Sequence, residues 1–150
     1  MSGAAEAQQE RTSRVAALRR RVAAAVLLAA TVALGLAVHY ALPDGEFGDI
    51  VGAGLYTVAV YLGVVLLAPR ATAWTAFALA LAWSFAVELL QLTELPARAN
   101  EAFAPARLVL GSGFEVRDLL VYALGGGVML GVDLAVTRSR ARRRRAPLVP

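Results

Sequence analysis

Four stretches of this chain are too long and too apolar for an ordinary water-soluble domain. Val22 to Leu42 is an uncharged run of 21 residues that includes the chain's single histidine, His39. Ile50 to Pro69 gives 20 residues without a charge. Ala71 to Thr93 gives 23 with Glu88 as the one charge, and Leu119 to Thr137 carries only Asp133. A helix needs about 20 apolar residues to cross the hydrocarbon core of a bilayer, so each run matches one span. A soluble helix would instead show a polar face at regular spacing. Overall, 59% of the residues are hydrophobic, which excludes intrinsic disorder.

The sequence therefore predicts an all-α, polytopic membrane protein. Four transmembrane helices fall near 22–42, 49–68, 71–94 and 118–137. Residues 1–18 read as a flexible cytoplasmic tail and 138–150 as a basic cytoplasmic tail. The first run also has features of a cleavable signal peptide, with Arg19, Arg20 and Arg21 ahead of it and Gly35-Leu36-Ala37 as a small-residue site. The run continues past that site and three more follow, which favours a retained helix. Pro43-Asp44-Gly45-Glu46 and Pro69-Arg70 are turn signals. Leu95 to Phe114 reads as a longer loop. Short connections favour an antiparallel up-down bundle.

Charge sets the orientation. All 15 basic residues are Arg. Twelve fall in the two tails and the Pro69-Arg70 turn, and only Arg98, Arg107 and Arg117 lie on the other side. That other side holds most of the acids, among them Asp44, Glu46, Asp49, Glu94, Glu101, Glu115 and Asp118. The positive-inside rule places both termini in the cytoplasm. The Arg-rich tails are then expected to meet anionic lipid headgroups, and no nucleic-acid partner is expected. The chain has no Cys, which removes disulfides, thiolate catalysis and Cys-ligated metal. One histidine cannot build a multi-His zinc site. No metal site and no cofactor are expected.

Polar residues within the apolar runs gather at one depth. Ser84, Glu88 and Gln91 share one face of the third helix. Asp118, Tyr122, Gly125 and Met129 form a stripe on the fourth, and Asp49, Gly52, Tyr56 and Gly63 on the second. These stripes, with His39, fall in the outer half of the membrane, under Arg107 and Arg117. Ionisable groups in a span are costly and usually face a partner or cavity. The candidate polar site is Asp49, Glu88, Gln91, Arg107, Asp118 and Tyr122. Three functions fit: binding of an anionic envelope lipid or precursor; acid–base or metal-assisted catalysis by Glu88 and Asp118; and a structural scaffold. In the scaffold reading, Glu88–Arg107 or Asp118–Arg117 is an ion pair that holds the loop down. Gly48/Gly52 and Gly127/Gly131 have the spacing that lets helices approach closely.

Ser84-Phe85-Ala86-Val87-Glu88-Leu89-Leu90-Gln91 resembles the S-F-x-x-E-x-x-Q third helix of small bacterial membrane proteins grouped as the domain of unknown function 2809 family. Arg107-Leu108-Val109-Leu110-Gly111-Ser112-Gly113-Phe114, with Asp118, Tyr122 and Gly125 after it, resembles that family's next segment. Asp49, Gly52 and Tyr61 resemble its second helix, and the likeness spans roughly 47–126. Ala53 departs from the pattern, standing where the family often has a second acid. A wider similarity runs to VanZ-like proteins through an E-x-x-Q…R…D…G skeleton. That resemblance implies a place in the cell envelope at the bacterial inner membrane, and it implies no particular reaction.

Overall fold

A computed structural model describes residues 2–41, 45–111 and 113–145. Leu42, Pro43 and Asp44 of the expected turn, Ser112 of the family motif and the tail after Arg145 lie outside these residues. Helix α1 spans Ser2–Ala41, α2 Glu46–Leu67 and α3 Ala73–Leu90. Two short helices follow, α4 (Leu95–Ala102) and α5 (Arg107–Leu110), joined by a 3₁₀ turn at Ala104–Ala106. Helix α6 spans Val116–Arg145. Among the described residues, four helices, α1, α2, α3 and α6, are long and apolar enough to cross a membrane.

The boundaries follow local chemistry. Residues 2–18, set apart in sequence as a tail, carry α1 onward, because an Ala- and Arg-rich segment without proline has high helix propensity. The Glu10–Arg14 pair, four residues apart, supports it. Helix α6 extends through the Arg run for the same reason. Helix α3 starts at Ala73 because the Thr72 hydroxyl accepts the Thr75 N–H at 3.1 Å, a side-chain N-cap. The stretch 95–114 is more helical than a loop: Pro96 sits in the first turn of α4, where its missing N–H has no partner to lose.

Helix α2 is central. It packs along α1, α3 and α6, and α3 also packs on α6. The inner face of α2 is Ala53, Thr57, Tyr61 and Val65, at intervals of four. Against it lie Ala76, Ala80 and Ser84 of α3, all fully buried. Small residues bring the backbones together. A Cβ on Gly125 would stand 3.0 Å from the Gly54 carbonyl, and one on Gly126 would stand 3.1 Å from the Phe77 ring. These are the close approaches, and the expected Gly127/Gly131 spacing is not one of them. A Cβ on Gly52, Gly127 or Gly131 would meet nothing within 4 Å. The reason is the face: Gly127 and Gly131 run beside Leu120, Leu124 and Val128, which are widely exposed as a lipid-facing stripe would be. Among the described residues, Ala24 is the only one of α1 in the buried core, so α1 flanks the other three long helices.

Candidate functional site

Glu88 is fully buried, with 0% exposure. Its Oε1 accepts the backbone N–H of Glu115, the residue before α6 begins, at 2.5 Å. Its Oε2 accepts the Tyr122 hydroxyl at 2.9 Å. A carboxyl at that point also faces the positive end of the α6 dipole. Glu88 therefore ties α3 to the start of α6. The expected Glu88–Arg107 pair is not formed, because the chain supplies Glu88 with nearer donors from a backbone and a phenol. One turn earlier, the Ser84 and Thr57 hydroxyls lie 3.4 Å apart, both fully buried.

Above Glu88 the loop is clamped by amides. Gln91 donates from Nε2 to the Leu110 carbonyl at 2.8 Å, and Asn100 donates from Nδ2 to the Gly111 carbonyl at 2.9 Å. The Gln91 amide occupies the place a Cβ on residue 111 would need, and Gly111 has φ of 70°. Both the contact and the left-handed backbone require glycine there. Arg117 then joins α6 to α2. It forms ion pairs with Glu46 at 2.8 Å, with Glu115 and, from Nε at 3.6 Å, with Asp118 Oδ1, the Asp118–Arg117 pair named from the sequence. That Asp118 oxygen is buried and has no hydrogen bond among the described residues.

Between α1 and the rest of the bundle lies a cleft of about 400 Å³. Thr31, Val32, Gly35, Leu36 and His39 form its α1 wall, and Gly52, Ala53, Leu55 and Tyr56 its α2 wall. Five of the six predicted site residues line it: Asp49, Gln91, Arg107, Asp118 and Tyr122. The sixth, Glu88, is behind Tyr122, holding the phenol. Tyr56 also reaches the cleft; its hydroxyl accepts the Trp83 indole N–H at 2.9 Å, and its ring lies 6.1 Å from that of Tyr122. Arg107 and Asp49 are exposed, and neither side chain makes a hydrogen bond or ion pair with the described residues. Among the described residues no three carboxylate or imidazole groups lie close enough to hold a metal ion.

A second cluster was not among the predicted site residues. At the far end of the helices, Arg20 of α1 reaches Asp133 Oδ2 at 2.5 Å. It also donates to the Pro69 and Ala71 carbonyls in the α2–α3 turn. The buried Tyr61 hydroxyl donates to the same Asp133 oxygen at 2.9 Å. Neighbouring Arg21 donates from Nε to the Leu66 carbonyl at 3.0 Å. The signal was present in the sequence: Asp133 is the lone acid in the last apolar run, and Arg20 stands just ahead of the first.

The segment 42–126, which holds the loop and the cleft lining outside α1, matches the model of a family described as protein of unknown function (DUF2809). The chain belongs to that family. No match emerged among curated proteins or among solved structures.

Proposed function

We infer that the protein sits in the bacterial inner membrane as an antiparallel bundle with both termini cytoplasmic, and binds an envelope amphiphile with an anionic headgroup, a lipid or precursor, in the outer half of the membrane. The orientation draws support from Arg20 gripping the α2–α3 turn and Asp133, and Arg21 the last turn of α2, which gathers that turn, the Arg19–Arg21 stretch of α1 and the part of α6 leading into its Arg run at one end. Twelve of the fifteen Arg lie on that side. The resemblance to VanZ-like envelope proteins fits the same setting. The Arg-rich tails would rest on anionic headgroups of the inner leaflet.

One observation carries the binding reading: an unpaired guanidinium, Arg107, stands at the rim of a cleft whose lower walls are Val32, Leu36, Ala53 and Leu55. A polar rim over an apolar slot has the two-part chemistry of an amphiphile. A planar guanidinium suits phosphate or carboxylate. Catalysis by Glu88 has less support, because both of its oxygens already accept hydrogen bonds from the protein. A scaffold explains Glu88 but leaves the cleft without a purpose.

Native mass spectrometry of the full chain released from bilayer nanodiscs tests this. The wild-type protein should carry bound phospholipid, and Arg107→Gln should lose it. Arg98→Gln, outside the cleft and paired with Glu94, should keep it. Equal lipid retention in both variants would sink the reading.

A further inference from the structure

The charge around the cleft is mixed, and its two signs do not meet. Arg107 is one unpaired cation. Asp49 lines the same cleft as a carboxylate without a side-chain partner among the described residues. Asp118 lines it too; its buried Oδ1 has no hydrogen bond but forms an ion pair with Arg117 Nε at 3.6 Å. Glu115 also borders the cleft, but its carboxylate pairs with Arg117. The lining thus holds more negative than positive charge.

A purely anionic headgroup fits this poorly. It would neutralise Arg107 and at the same time lie against Asp49 and Asp118, and charges of like sign repel in a site partly shielded from water. A structural site would have been simpler to close by pairing Arg107 with Asp49. The two stay apart and both line the space that a ligand would enter. A ligand with one charge of each sign satisfies both. A phosphate ester takes the two-pronged guanidinium. A primary ammonium brings three donors for carboxylate oxygens that have none. The apolar walls of α1 and α2 then accept the start of a hydrocarbon chain, and a volume of about 400 Å³ lies within the usual range of ligand pockets.

Building on the amphiphile reading above, we propose that the cleft selects a zwitterionic amphiphile: a phosphate ester bearing a primary ammonium, with phosphate on Arg107 and ammonium on Asp49 and Asp118. The shared headgroup chemistry also occurs in soluble aminoalkyl phosphates, and the α1 wall favours the lipid form.

The test measures binding to the full chain in detergent micelles with three probes. These are dioctanoyl phosphatidylethanolamine, dioctanoyl phosphatidylglycerol and free phosphoethanolamine. The expected result is a preference of about tenfold for the ethanolamine lipid over the glycerol lipid. Asp49→Asn should erase most of that preference by weakening the ethanolamine lipid alone. Arg107→Gln should weaken both lipids. Asp49 is exposed and makes no side-chain bond among the described residues, so its variant should fold, which thermal unfolding checks; Asp118→Asn repeats the test on the second carboxylate. Equal binding of both lipids, or a preference that survives both Asp variants, overturns the zwitterion proposal and leaves the amphiphile reading standing. Phosphoethanolamine binding as tightly as its lipid overturns the choice of a membrane ligand. Binding of neither lipid overturns both.

Discussion

The two ends of the bundle treat charge in opposite ways. In the Arg20–Asp133 cluster, Arg20, Tyr61 and Asp133 each have a partner from another helix or turn. Arg20 meets one carboxylate and two carbonyls, and Tyr61 completes the same carboxylate. At the other end, Glu88 is equally well bonded and Arg117 pairs with three acids, yet among the described residues Arg107 and Asp49 are left without side-chain partners beside a cleft. Charges that only hold helices together should be neutralised by the protein itself, since an uncompensated charge away from water is costly. The difference separates a clasp from a site. It also splits the cleft end internally: Glu88 belongs with the clasp chemistry, and the rim above it does not.

The sharpest way to break this contrast is at the clasp. The Arg20 and Asp133 side chains are 23% and 16% exposed, so the pair is mostly shielded. Asp133→Ala leaves the guanidinium without its counter-charge and should cost about 3 kcal/mol. Replacing both residues by Leu removes the pair as a unit and should recover most of that loss. Denaturant titration of the purified protein in mixed micelles reads both values. If Asp133→Ala is neutral, the clasp is not what holds α1, and the two ends no longer differ as argued.

Glu88 gives a smaller effect with a definite chemical signature. Glu88→Ala strands the Glu115 N–H and the Tyr122 hydroxyl, for a loss of about 2 kcal/mol. Glu88→Gln should be close to neutral, because an amide can still accept from the backbone N–H and donate to the phenol oxygen. Lipid retention in Glu88→Gln should also match wild type. Retention lost while stability holds would move Glu88 out of the clasp and into the site.

Much of this is legible in the sequence alone, and the limits are physical. The four spans follow from hydrocarbon thickness, which any uncharged run of the right length reveals. The depth of the polar layer follows from helix rise, and Asp49, Gln91, Arg107, Asp118 and Tyr122 all line one cleft. Pairing was not legible. Glu88 was weighed against Arg107 because both are charged, but its partners are a backbone N–H and a phenol, and backbone donors leave no trace in residue type. Helix faces were legible only in part: Gly127/Gly131 has the favoured spacing, while Gly125 and Gly126 have the favoured phase, set by Tyr122 and Met129 turning inward. The cleft itself needs α1 to stand beside α2, a tertiary placement that one apolar run cannot announce.

The smallest expected effect is the one that sharpens the comparison most. If the rim charges serve a ligand, the empty protein does not depend on them. Arg107→Gln and Asp49→Asn should each change unfolding free energy by less than about 0.5 kcal/mol, as ordinary surface substitutions do. The double variant should add no coupling beyond the two singles, since the side chains do not touch. The same three proteins, measured with added phospholipid, should diverge: wild type gains stability with lipid concentration, because a ligand that binds only the folded state stabilises it by mass action. The variants should gain less. The argument fails if neutralising either rim charge alone destabilises the lipid-free protein as much as Asp133→Ala does. That result would mean the rim is a second clasp whose partners are made through the membrane surface, and the contrast between the two ends would disappear.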